Sequence, residues 1–264
     1  LSTKRRIKFT VAYDGTDFCG FAPQAGQRTV HSTLTEGLYR AIGEEVEVRG
    51  ASRTDSGAHA LGQVGHFDCT VPVPIERWPY LMNKVLPRDL SVCKAEQVSP
   101  DFDARFMARK RHYRYRIITG ERNPMAMRWA HYYGRPLNLV EMREAANKLV
   151  GEHSFLGFSQ EFDENANPIR TLFEVRLNEY RDQVVLDVVG TAFVRGMMRR
   201  IAGSLLEIGR GKQPQSWMDH LLSVQSKSEV DWPPVLPACG LTLIKVFYGR
   251  HPSDHRFDHS EESE

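Results

Sequence analysis

The chain has 264 residues, 41% of them hydrophobic and 26% charged, enough to bury a core as one large domain or two small ones. Its longest apolar runs are too short to span a bilayer, and Cys19, Cys69, Cys93 and Cys239 lie too far apart for a disulfide framework or a zinc site. A cytoplasmic protein with no membrane span, no metal and no cofactor is therefore expected. The net charge of +2 understates the basic character of the body, because residues 251–264 hold five acids against one arginine, leaving 34 bases against 28 acids elsewhere.

In chain order, alternating apolar residues predict a strand over 4–13. A helix follows over 30–42, with Thr29 as N-cap and Val30, Leu34, Leu38 and Ile42 on one face. Two strands flank residue 55, one in EVEVRGAS (45–52) and one in QVGHFDCTV (63–71). A helix over 79–86 and a strand over 91–98 complete a β-α-β-β-α-β order. The second half repeats it: a strand over 112–118, a helix over 139–150 capped by Asn138 and Glu141 and stopped by Gly151, strands over 171–178 and 184–189, a helix over 193–208, a short helix after Pro214 and a strand over 241–248. The expected fold is α+β: two ferredoxin-like halves, their mixed, largely antiparallel sheets joined edge to edge, with a basic cleft between them. The boundary is placed near residue 105, giving units 1–105 and 106–250, and the polar, acidic segment 251–264 reads as disordered.

The stretch ASRTDSGAHALGQVGHFD (51–68) sets a carboxylate, Asp55, on a polar turn between strands. Taken alone, Asp-Ser-Gly is common turn chemistry, the carboxylate bonding the backbone two residues on. Arg53 before it and Gly57 after it add a cation and a position without Cβ, where a ligand can approach the backbone. Arg105, Arg109, Lys110, Arg111, Arg114 and Arg116 fall within twelve residues without an acid, interleaved with Tyr113 and Tyr115. That combination suits phosphate contacts and base stacking, and the first five are the expected RNA-binding residues. Arg195, Arg199, Arg200, Arg210 and Lys212 form a second basic group.

The long pattern R-T-D-S-G-x-H-A-x-G-Q-V-x-H-F resembles the signature of the tRNA pseudouridine synthases of the TruA type. Agreement continues through Tyr13-Asp14-Gly15, FDARF (102–106), KRHYRYR (110–116), GEHSFLGF (151–158) and FVRGMMRRIAGSLLEIGRG (193–211) to GLTLIKVFY (240–248). The resemblance implies a pseudouridine synthase fold and a cofactor-free isomerase acting on uridines 38, 39 and 40 of the tRNA anticodon stem-loop. It implies Asp55 as the catalytic carboxylate, Arg199 as its paired cation, Tyr113 as the ring stacked on the flipped uracil, and Arg53 as the residue filling the vacated space. It also implies a homodimer sharing one tRNA across both subunits. Phe21 and His31 depart from the usual tryptophan and glutamine of the family pattern.

Two other readings fit parts of the sequence. Tandem ferredoxin-like units also build non-catalytic RNA-binding modules, but the RNP1 aromatic pattern is missing. A glycosidase or nucleosidase needs a second carboxylate, and the nearest spares, Asp101 and Asp103, lie in another segment. His59 and His66 are read as structural or RNA-contacting, and the spacing of His251, His255 and His259 as incidental to a polar tail.

Overall fold

The computed structural model describes residues 4–159 and 167–249. Its strands are β1 (Arg5–Tyr13), β2 (Arg49–Gly50), β3 (His59–Cys69), β4 (Leu90–Val98), β5 (Lys110–Ile118), β6 (His131–Tyr132), β7 (Gly151–Ser154), β8 (Ile169–Tyr180), β9 (Gln183–Gly190) and β10 (Leu241–Phe247). The helices are α1 (Val30–Ile42), α2 (Trp78–Asn83), α3 (Leu139–Asn147), α4 (Met197–Gly209) and α5 (Ser216–Ser223).

One open mixed sheet runs β4-β1-β3-β10-β5-β9-β8-β7, with β2 paired to β3 and β6 to β5. The N-terminal strands take the order β4-β1-β3-β2 and the C-terminal strands β10-β5-β9-β8, which is the same 4-1-3-2 arrangement of a ferredoxin-like unit twice over. The two meet where β10 runs parallel to β3, Thr242 opposite His59 and Leu243 opposite Ala60. Gly62 makes that junction possible, since a Cβ there would come within 2.4 Å of the Ile244 carbonyl oxygen.

Thr29 caps α1 in a reciprocal box with Ser32, and Gly43 ends it at φ 70°. Leu34 and Leu38 of α1 pack with Trp78 and Met82 of α2 over Ile7, Phe9, Phe67 and Val92 of the sheet. In the second half α3 packs on α4 and β8, and α4 on β5.

Four expectations are corrected. The strand before Asp55 shrinks to Arg49–Gly50; Val46 and Val48 are buried as the alternation requires, but His31 Nε2 takes the Val48 carbonyl. Strand β3 begins at His59, four residues before the expected 63–71 stretch, and is buried on both faces. Helices α2 and α3 each stop about three residues early and finish as turns. Helix α4 starts at Met197 because Gly196 adopts φ 74°, which takes Phe193 and Val194 out of the helix. Strand β7, at the sheet edge, and β6 were not expected. Residues 251–264, with the expected disorder and the three spaced histidines, lie outside the described residues.

Candidate active site

Residues 51–58 leave β2 and return into β3 as a loop anchored at both ends by buried Ala51 and Ala58 and held between them by polar contacts to its neighbours. Gln63, fully buried on β3, accepts from the Ser52 N–H at 3.2 Å and donates to the Ser52 carbonyl at 2.6 Å. Tyr13, at the end of β1, shares a buried 2.8 Å hydrogen bond with the Thr54 hydroxyl. The segment after β1 wraps the other side: Phe21 N–H donates to the Thr54 carbonyl, and Gly57 N–H and the Ser56 hydroxyl both donate to the Phe18 carbonyl. Gly20 and Gly15 let this wrap close, since a Cβ would stand 2.8 Å from the Thr54 oxygen at the first and 1.9 Å from the Ala58 oxygen at the second. Asp55 to Ala58 form a tight turn closed by the Ala58 N–H on the Asp55 carbonyl, with Gly57 at φ 80°.

The Asp55 carboxylate does not fold back on its own turn. Its Oδ2 accepts from Arg199 Nη1 at 3.0 Å, across 144 residues of sequence, and both side chains remain about one-fifth exposed. Arg199 is itself held, Nε donating to the Leu236 carbonyl at 2.6 Å. Leu236 belongs to a proline-rich strap, residues 233–238, that crosses α4. Arg200 donates to the Pro233 carbonyl, Tyr115 to the Pro237 carbonyl at 2.7 Å, and Gly203 clears space for the Pro234 oxygen. The pair is thus fixed from both sides, with part of each side chain left exposed.

Tyr113 stands on β5 with its ring 4.8 Å from Phe193 in an edge-on contact that the break at Gly196 permits. Burial raises the pKa of its phenol; Ser52 and the Arg111 charge oppose that shift and the Asp55 charge adds to it, so the hydroxyl stays protonated near its partners. Asp55, Arg199 and Tyr113 therefore share one neighbourhood. Arg53 is exposed on the loop beside it and, among the described residues, makes no side-chain hydrogen bond or ion pair.

The expected RNA-binding run is not one surface. Strand alternation buries Arg111, Tyr113, Tyr115 and Ile117 and leaves Lys110, His112, Arg114 and Arg116 on the opposite face. Arg111 is only 9% exposed, and its nitrogens donate to the Ser52 hydroxyl and to the carbonyls of Ala51, Arg105 and Thr191. Burial lowers its pKa. Arg114 is clasped by Asp187 through two bonds of 2.9 and 3.1 Å, with His112 Nε2 donating to the same carboxylate at 2.6 Å. Arg105 and Arg109 are exposed, and Lys110 is half-buried against Phe173 and Phe247.

His59 and His66 are buried and each accepts a backbone N–H. Burial lowers the pKa of His59, whose Nδ1 accepts from the Gly15 N–H at 3.0 Å. His66 Nδ1 accepts from the Ala104 N–H. Asp103 spends one carboxylate oxygen on the N–H groups of Arg105 and Phe106, each at 2.8 Å. Tyr13, Gln63 and Phe193 fall within the matched motifs, but no role was assigned to them from sequence, and the 233–238 strap was not singled out. The clustered prolines were the one available signal for the strap.

Two ferredoxin-like units sharing one sheet, with an ion-paired carboxylate on the loop before β3, define the architecture, and comparison with known proteins gives the class and the family. The profile of the family described as tRNA pseudouridine synthase matches residues 10–107 and 145–249. The tRNA pseudouridine synthase A of Lactobacillus delbrueckii subsp. bulgaricus is 36% identical over 96% of this chain and 98% of its own. That of Bacillus subtilis is 37% identical over 92% and 99%. A solved Cbf5-Nop10-Gar1 complex aligns with 76% of this chain and 45% of that chain at 11% identity and a TM-score of 0.35, too low a likeness to carry an argument. The chain belongs to the tRNA pseudouridine synthase family, whose members are isomerases that convert uridine to pseudouridine in tRNA.

Proposed function

We propose that this chain isomerises uridines 38, 39 and 40 of the tRNA anticodon stem-loop, with Asp55 as the catalytic carboxylate. The observation that carries the reading is the Asp55–Arg199 contact, which pairs an acid on a fixed turn with a counter-ion on α4, both side chains partly exposed. The reaction breaks the C1′–N1 bond, turns the uracil, forms a C1′–C5 bond and moves the C5 proton to N1, so nothing is oxidised and no water is consumed. One ionised carboxylate suffices, as nucleophile at C1′, as base at C2′ or as partner of an oxocarbenium-like state. Arg199 holds the carboxylate in position and balances its charge while the cleft fills. Tyr113 offers a ring to the flipped uracil, and Arg53, exposed on the same loop, takes the space and phosphate that the nucleotide leaves.

The reading extends to organisation: units 1–105 and 106–250 form the two walls of the cleft, two copies of the chain share one tRNA, and the enzyme works in the cytoplasm. None of the helices among the described residues is long and apolar enough to cross a membrane. Incubation of the purified protein with unmodified tRNA, followed by mapping of pseudouridine, tests the assignment. Modification confined to positions 38, 39 and 40 is expected, and a product lacking pseudouridine at all three would reject it.

A further inference from the structure

Phe106 is the most conspicuous apolar side chain near the cleft that the chemistry leaves unused, with 80% of its surface exposed. Exposure of a lone phenylalanine is ordinary on a loose loop. Here the backbone beneath it is tied down at every step. The carboxylate of Asp103 accepts from the N–H groups of Arg105 and Phe106, and the Met107 N–H donates to the Asp103 carbonyl at 3.0 Å. Ala104, fully buried, donates to His66 and accepts from the Tyr248 hydroxyl at 2.6 Å.

The same turn is bolted to the Asp55 loop. Arg111 Nη2 donates to the Arg105 carbonyl at 3.2 Å and to the Ala51 carbonyl at 3.3 Å, and its Nε donates to the Ser52 hydroxyl. One buried guanidinium therefore joins the residue before Phe106 to the residues leading into Arg53 and Asp55. The neighbours of the exposed ring are cationic: the Arg105 guanidinium lies 5.8 Å from its centroid, and Arg109 and Arg53 are exposed nearby in sequence and on the linked loop.

A rigidly presented aromatic ring flanked by arginines is what binds unpaired nucleotides: the ring face stacks on a base while the cations meet the phosphates on either side. We infer that Phe106 stacks on an unpaired base of the RNA, next to the nucleotide that enters the Asp55 cleft, with Arg111 as the positioning residue that fixes this platform relative to Asp55. The inference rests on the reading of the chain as a tRNA-modifying enzyme. Its substrate-side partner is the π-face of a base, so the contact is tolerant of base identity and independent of phosphate neutralisation.

The test uses Phe106→Ala, Phe106→Leu and Phe106→Trp in the full chain, with filter binding of an unmodified tRNA transcript at several salt concentrations. The alanine and leucine variants are expected to weaken binding by about tenfold, the low end of the range for losing one base stack, with the parental dependence on salt. The tryptophan variant is expected to keep parental affinity, with its added fluorescence quenched by RNA. Because the side chain is exposed, all three should melt at the parental temperature. Parental affinity in Phe106→Ala, or full affinity in Phe106→Leu, would overturn the inference. So would a change in the molar mass of Phe106→Ala by light scattering, which would make the ring a contact between copies of the chain. Mapping pseudouridine made by the parental protein separates the two claims: product made at the parental rate by a Phe106→Ala protein that also binds normally rejects only the stacking, whereas absence of product from the parent rejects the enzyme reading.

Discussion

Arg199 meets Asp55 through one nitrogen and the Leu236 backbone through another, so it orients the carboxylate as well as neutralising it. A replacement that keeps bulk without charge separates these roles from packing. Arg199→Met is expected to lower kcat by about a hundredfold, in line with the removal of one preorganised electrostatic partner, while KM changes little. Steady-state kinetics on tRNA transcripts decide it, and unchanged kcat would make the contact a surface pairing with no part in the reaction. Asp55 and Arg199 were visible in the sequence because each sits within a long motif. Gln63 and Tyr13 lie within the same matched stretches, but their part in holding the turn was not legible, since it comes from burial opposite polar groups of another segment. Arg111 was legible in part: the period-two rule that put Tyr113 and Tyr115 on one face also puts Arg111 there, inside the protein.

Strand β5 shows what such alternation does at the level of an element. Its opposite face carries His112 and Arg114 onto Asp187 of β9, a carboxylate only 7% exposed. Burial works to raise the Asp187 pKa, but the hydrogen bonds from His112 and Arg114 outweigh it and hold the group below its usual value. A carboxyl with a depressed folded-state pKa contributes stability above its unfolded value of about 4, and that contribution is lost as the pH falls through the folded value. Asp187→Asn should cost on the order of 3 kcal/mol at pH 7, the low end for a broken buried pair because Arg114 is one-third exposed. Urea unfolding at pH 7 and again near pH 3 should show the deficit shrinking in acid. A constant deficit across that range would mean the loss is packing alone. The long elements were readable from periodicity and caps, Thr29 and Asn138 above all. Short β6 was not, because a two-residue ladder leaves no period, β2 was expected but too long, and the start of α4 was missed because a helical pattern continues through Gly196 while its backbone does not.

For the whole molecule, the 4-1-3-2 order repeated on either side of the β3–β10 contact followed from the order of elements, but the place where the sheets join depended on a glycine, Gly62, that sequence patterning treats as neutral. Sorting the basic residues by face also changes the expectation for RNA. Arg105 and Arg109 are exposed and are proposed to meet phosphates, whereas Arg114 is committed to Asp187. Replacing Arg105 and Arg109 together by Gln should weaken binding of all tRNAs and flatten the plot of log affinity against log salt by roughly 0.7 to 0.9 per lost contact. Arg114→Gln should leave that slope as it was and lower stability instead. The reverse pattern would put the RNA on the other face of the sheet.

The central claim, that this fold presents Asp55 to a tRNA uridine, is tested most directly by Asp55→Asn, which preserves shape and removes charge. Pseudouridine formation and tRNA affinity are to be measured on the same preparation. The account predicts no detectable pseudouridine, with a dissociation constant within about tenfold of the parent, or roughly 1.4 kcal/mol. Turnover retained by Asp55→Asn would contradict it.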